Sequence, residues 1–115
     1  MTSWEDKQRW IAGAKIFSGR PDPIWTINEE TAGKLLRVWG GLMPHRGPIL
    51  TPPGLGYRGC FLQERQLDRR WEAYEGVVSL GAEIRSDPHR SFESALLNTA
   101  PPNSGISASV VLNNR

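Results

Sequence analysis

Each of two short segments of the sequence carries one apolar stripe at helical spacing. The first follows a capping asparagine, Asn28, and places apolar side chains at i, i+3, i+4 and i+7: Ala32, Leu35, Leu36 and Trp39. The second opens at Asp87-Pro88, and its stripe consists of Phe92, Ala95, Leu96 and Thr99. A helix with one apolar face must bury that face against another layer of structure. The two predicted helices therefore require a sheet to cover.

Strand-like segments supply that sheet. Apolar runs bounded by turn residues predict extended structure at residues 9–17, 25–27, 57–64 and 71–80. A polar connection at 65–70 makes the last two a hairpin, and 110–112 could form a final edge strand. The main elements then follow in the order β-α-β-β-α. We predict an α+β fold, ferredoxin-like or a related two-layer sandwich, in which two helices cover an antiparallel sheet.

The length of the chain predicts one compact unit. A chain of 115 residues is of single-domain length. We expect one α+β domain at 1–102 and a C-terminal tail at 103–115 that is flexible or forms the edge strand. The polar N-terminus is unlike a signal peptide, and no apolar run approaches the roughly 20 residues that cross a bilayer. We therefore expect a cytoplasmic protein without a membrane partner.

Two loops rich in proline and glycine are the strongest candidates for function. In the segment 18–25, Pro21 and Pro23 fix their own φ angles and push Arg20 and Asp22 toward extended conformations. A longer loop at 42–56 also contains several prolines, and loops of that length are usually functional or mobile. Because a stiff loop is already ordered, its side chains lose little further conformational entropy when they bind a partner. We predict a binding surface made of five residues: Arg20, Asp22, Trp25, Tyr57 and Arg58.

A second interpretation of the same loops is structural. Asp22 and Arg20 could tie the loop to the rest of the domain, with Trp25 in the core. The segment 54–59, Gly-Leu-Gly-Tyr-Arg-Gly, has the letters of a dinucleotide-binding motif. That motif needs a helix N-terminus after it to receive the phosphates, whereas here a strand is predicted to follow. We therefore expect no nucleotide cofactor.

Catalytic and metal-binding residue types are sparse. The two histidines, His45 and His89, show no ligand spacing with the scattered carboxylates, so we expect no metal. The only cysteine, Cys60, excludes an intrachain disulfide and is predicted mid-strand, where it behaves as a small hydrophobe. Cys60, His89 and Asp87 are residue types that can supply a nucleophile and a base, but nothing in the sequence indicates that they lie together. A net charge of +2 disfavours nucleic acid as a partner.

These observations favour a small non-catalytic binding or accessory protein that recognises a peptide or protein partner. By analogy with accessory proteins of this size, we expect it to act in a bacterial peptide-modification or regulatory pathway. An open sheet edge could pair with an extended peptide or, in a homodimer, with a second copy of the chain. One alternative is a small enzyme with a site between the long loop and the sheet, using His45, Arg58 and His89. Another is a nucleic-acid-binding domain.

Overall fold

The computed structural model describes residues 9–16, 21–49, 51–52 and 56–113. The elements lie along the chain in this order: β1 (Trp10–Ala14), β2 (Ile24–Ile27), α1 (Glu29–Gly40), β3 (Met43–Pro44), β4 (Cys60–Glu64), β5 (Arg69–Tyr74), β6 (Val77–Leu80), β7 (Glu83–Ser86), α2 (Ser91–Leu97) and α3 (Ala108–Asn113). None of the helices in these ranges has the length and apolar character that a membrane crossing requires.

The strands form one sheet of seven, in the order β2-β1-β4-β5-β6-β7-β3. Every pairing in it is antiparallel. A β-α-β crossover joins parallel strands, so a ferredoxin-like sheet requires parallel neighbours that are absent from the described part of this chain. The same residues contain three helices instead of two. The α+β class is correct, but the predicted ferredoxin-like sandwich covered by two helices is wrong.

Tight turns account for the additional strands. The predicted strand at 71–80 is interrupted at Glu75 and Gly76, whose φ angles are 50° and 85°. Positive φ at both central residues is the type I′ pattern that reverses a hairpin in two residues. A further turn at Gly81, with a φ of 59°, leads into β7, which the sequence pattern did not predict. The sequence did not indicate the first of these turns, because asparagine, aspartate and glycine are the usual residues at the position that Glu75 occupies.

The first predicted helix is confirmed. The Asn28 side chain accepts a hydrogen bond from Thr31 N at 2.8 Å, and Ala32, Leu35 and Trp39 are buried on the predicted stripe. The sequence pair Gly40-Gly41 predicts that the helix ends with a left-handed residue, and this prediction is wrong. Gly41 has a φ of −92°, so the helix stops without a left-handed residue.

The second helix begins at Ser91, one turn later than predicted. Asp87 still caps it: its carboxylate accepts hydrogen bonds from Ser91 N at 2.8 Å and Phe92 N at 2.9 Å. The predicted edge strand at 110–112 is wrong, since these residues lie in α3. Ala108 N, in the first turn of α3, donates to the Asn98 side chain after α2 at 2.8 Å. The proposed division of the chain at residue 102 stays a prediction.

The two faces of the sheet differ in what covers them. Strand alternation directs Trp10, Leu62 and Trp71 to the face that the helices cover, and the rings of Trp10 and Trp71 lie 6.1 Å apart there. We call the opposite side the open face. The pairing register places one row of residues across it: Ile24, Gly13, Phe61, Glu72, Ser79 and Ile84. A Cβ atom on Gly13 would lie 2.5 Å from the Phe61 ring, so glycine lets that ring lie across β1.

Candidate functional site at the junction of two loops

Two loops that are far apart in sequence meet at the end of β1. Lys15 N donates to Gly59 O, and Arg58 N donates to Lys15 O, each at 2.8 Å. Asp22 joins the other loop to the same place: one carboxylate oxygen accepts from Ile16 N at 2.8 Å, and both lie 3.4 Å from Arg58 Nη2. We define the loop junction by the residues that the two loops contribute to it: Ile16, Asp22, Pro23, Tyr57 and Arg58.

The Asp22–Arg58 ion pair is accessible to solvent. The Arg58 side chain is 27% exposed and that of Asp22 is 28% exposed. An ion pair of this exposure contributes about 1 kcal/mol or less to stability, because water and salt screen it. Its main effect is to fix the position of one loop against the other.

Tyr57 connects the loop junction to α2. Its hydroxyl donates to one oxygen of the Glu93 carboxylate, and Arg90 Nε donates to the other at 2.8 Å. Glu93 is only 1% exposed. Burial is the first cause that raises the pKa of Tyr57 above its usual value, and the nearby Cys60 and Glu93 add to it. The hydrogen bond to Glu93 is the main cause that raises the pKa of Arg90. Tyr57 therefore stays a neutral donor and Arg90 a cation.

The five residues predicted for the binding surface do not all lie together. Asp22, Tyr57 and Arg58 are at the loop junction, whereas Arg20 lies outside the described residues. Trp25 is 7% exposed and belongs to the core, as predicted by the alternative in which the loop has a structural role. Its indole N–H donates to Thr99 Oγ1 at 2.8 Å, on the helix side of the sheet. We therefore assign Trp25 no direct contact with a ligand.

An apolar pocket of about 370 Å³ adjoins the loop junction. One side of it is formed by the loops and the other by the segment that leads into α3. The residues that matter for its chemistry are Ile16, Pro23, Tyr57, Ile106, Val110 and Val111. Val110 is 47% exposed, so the pocket opens to solvent with apolar surface at its rim. A single apolar side chain of a ligand fits a site of this character.

A second cavity lies between the long loop and the open face, and we call it the sheet cleft. It holds about 340 Å³ and extends to the loop junction, because Arg58 lines both regions. The loop side contributes Ile49 and Pro52, and the sheet side contributes Glu72, Val77 and Ile84. The sheet cleft therefore combines apolar walls with charged groups.

His45 holds the long loop against β7. Its backbone N–H donates to Ile84 O at 3.0 Å, and its ring nitrogens lie 2.8 Å from Ser86 Oγ and 3.1 Å from Pro48 O. Among the described residues that line the sheet cleft, Arg58 is present but His45 and His89 are not. The three residues named for an enzyme site are thus not assembled in this cavity.

The residue types expected for nucleophilic catalysis also lie in unsuitable surroundings. Cys60 is buried, and burial raises the pKa of its thiol, so the reactive thiolate is scarce at neutral pH. The Asp87 carboxylate is engaged by the backbone N–H groups of α2, and His89 is exposed. Within the described ranges, no group of three or more His, Cys, Asp or Glu side chains could hold a metal ion.

No protein-family model, curated protein or solved structure matches the chain. Its function must be inferred from the geometry of the loop junction and its two cavities.

Two residues important for this geometry, Lys15 and Glu93, were missed in the sequence. Lys15 could have been found from strand alternation, since it follows Ala12 and Ala14 but occupies the opposite face. Glu93 gave no signal, because a glutamate in the first turn of a helix is ordinarily solvated and favourable there. Its burial depends on Tyr57, which approaches α2 from a distant part of the chain.

Proposed function

We propose that the protein is a non-catalytic binding protein that recognises an extended segment of a peptide or protein partner. The observation that supports this proposal is the outer edge of β2, which pairs with no strand in the described part of the chain, contains no charge or proline, and starts at the apolar pocket. An extended peptide would add a strand at this edge and place one apolar side chain in the pocket.

The direction of the backbone groups in β2 follows from the hydrogen bonds of β1. Ala14 N donates toward β2, to Pro23 O at 3.2 Å, while Lys15 N donates toward β4. Backbone groups alternate in direction along an antiparallel strand. The register therefore directs the N–H and C=O groups of Ile24 and Thr26 away from β1. In the described part of the chain, β2 pairs with β1 alone.

The two edges of the sheet differ in their protection. At one edge, β3 has only two residues, and one of them is Pro44, which has no N–H to donate. At the other, β2 reads Ile-Trp-Thr-Ile, without charge or proline. Ile24 is 64% exposed and both it and Thr26 point to the open face. Unprotected edges of this composition favour pairing with another chain.

The apolar pocket favours a peptide over a second copy of the chain. Pro23 lines this pocket and directly precedes β2, so a paired peptide that continues past Ile24 reaches it. A buried apolar anchor of this kind supplies much of the affinity in peptide recognition. Two β2 strands alone would pair over four residues, well short of the roughly 1,000 Å² expected of a stable interface.

The test uses peptides selected from a phage-displayed random library against the wild-type protein. Their affinities are then measured by isothermal titration calorimetry. Thr26→Pro removes an outward N–H without removing a hydrogen bond to β1, and we expect binding to weaken about tenfold or more. Ile24→Lys should also weaken binding. The matched control is Met43→Lys on the opposite edge, where the side chain is 72% exposed and binding should not change.

Two outcomes would overturn the proposal. One is that the library yields no binder, or yields peptides that bind Thr26→Pro as they bind the wild type. The other is a concentration-dependent dimer in sedimentation equilibrium that Ile24→Lys dissociates, which would assign the edge to a second copy of the chain.

A further inference from the structure

We propose that the sheet cleft is a separate binding site for a small organic monoanion with an apolar body. Two observations lead to this conclusion. Apolar residues line the cleft from both the long loop and the sheet, and its described charged lining residues are two cations, Lys15 and Arg58, and one carboxylate, Glu72.

The walls are held in place from both ends of the long loop. His45 attaches the start of the loop to β7, and Gly59 attaches its end to β1 through Lys15. Ile49, on the loop, is 56% exposed, and it lines the cleft opposite Val77 on β6. The volume of about 340 Å³ is within the range of small-molecule sites, which are usually formed before the ligand binds.

The charges of the cleft do not balance. Among the described residues that line the cleft, Lys15 and Arg58 are cations and Glu72 is the carboxylate. Lys15 pairs with Glu72, as does Arg70 from outside the lining, and Arg58 pairs with Asp22. Burial alone would raise the pKa of Glu72, but the hydrogen bond and charge of Lys15 and the charge of Arg70 outweigh it and lower the pKa. Glu72 is therefore ionised at neutral pH, and the described residues that line the cleft include one more cation than carboxylates.

The position of Lys15 decides the class of ligand. Its ammonium group has three N–H donors, and Glu72 is the acceptor found for one of them in the described residues. Lys15 lines the cleft and its side chain is 35% exposed, so it can also donate to an entering carboxylate or sulfonate. Glu72 would repel a dianion more strongly than a monoanion. The apolar walls accommodate the remainder of the ligand.

The test compares two probes of similar shape, 1-naphthoate and its neutral analogue 1-naphthalenemethanol, by isothermal titration calorimetry. We expect the wild type to bind naphthoate about fivefold more tightly, the factor for one partly exposed ion pair. Lys15→Met should remove this preference. Glu72→Gln should increase it, because it leaves the cations without their shared carboxylate. The opposite signs of these two changes are expected only if the ligand carboxylate lies near both residues.

A second pair of variants tests the location. Ser79 lies between Glu72 and Ile84 on the open face, and Ser79→Trp should fill the cleft and abolish binding of both probes. Met43→Trp adds the same side chain at an exposed position outside the cleft and should leave both affinities unchanged. Circular dichroism verifies that each variant is folded. The proposal is wrong if neither probe binds the wild type, if both bind equally, or if folded Ser79→Trp binds like wild type.

Discussion

Gly59 occupies a position that only glycine can fill without moving a neighbouring strand. Its φ angle is 111°, which side chains rarely adopt. An added Cβ would lie 2.8 Å from the backbone oxygen of Ala73 and 3.3 Å from Tyr74 Cβ. Because the nearer atom belongs to the backbone of β5, no side-chain rotation can relieve the contact. We therefore expect Gly59→Ala to destabilise the protein strongly.

The size of this effect can be worked out from its two causes. Placing a residue other than glycine in such a region of φ costs about 1–3 kcal/mol. Forcing the packed strand apart costs typically about 1–3 kcal/mol more. The expected loss of unfolding free energy is thus about 4 kcal/mol, a large part of the roughly 5–15 kcal/mol of an ordinary domain. Because Gly59 directly precedes β4 and the contact is with β5, the substitution disturbs the pairing that positions the loop junction.

The control is the same substitution in α1. An added Cβ on Gly33 would have no atom within 4 Å, and its φ is not in the left-handed region. Alanine is the better helix former by about 1 kcal/mol, so Gly33→Ala should raise the unfolding free energy by about that amount. Urea unfolding followed by circular dichroism measures both variants. A Gly59→Ala protein within about 0.5 kcal/mol of wild type, or a destabilised Gly33→Ala protein, would refute the reasoning.

Two further predictions concern buried carboxylates. Asp87→Ala leaves the N–H groups at the start of α2 without their acceptor, so it should lower the unfolding free energy by about 2 kcal/mol, measured by urea unfolding. Asp87→Asn keeps one acceptor oxygen and should cause a smaller loss. Burial alone would raise the pKa of Glu64, but hydrogen bonds from Leu67 N, Arg9 and Gln66 N outweigh it and lower the pKa from 4.5. The stabilisation that ionised Glu64 gives the folded protein is therefore complete above pH 4.5, and it is lost as the pH falls through the lowered pKa. Glu64→Gln should be less stable at neutral pH and show a flatter acid-side stability profile; parallel profiles for the two proteins would contradict this.

The best-predicted element is α1, because its signals are local. Asn28, the acidic first turn and the apolar stripe all lie within one stretch of chain and favour the same structure. The number of strands was mispredicted because a two-residue turn divides the predicted strand at 71–80. Such a turn requires only that its two central residues adopt positive φ. Glu75 adopts that conformation here although it has little intrinsic preference for it. The ferredoxin-like topology followed from the resulting undercount.

The candidate site was predictable only in part. Pro21 and Pro23 indicate a stiff loop from the sequence alone, and Asp22 and Arg58 were named for recognition. The apolar pocket and the sheet cleft were not predictable as cavities. Their walls come from segments whose distance in the sequence carries no information about their distance in space.

The sequence by itself determined features that depend on neighbours along the chain: the cap and stripe of α1 and the α+β class. Only the tertiary structure decided which surfaces meet. The antiparallel register of β1 with β2 and β4 brings Asp22 to Arg58, directs the backbone groups of β2 outward and places Lys15 beside Glu72. The physical reason is that strand pairing joins residues across long chain separations. Its register is selected by the burial of a whole sheet face, which no single segment encodes.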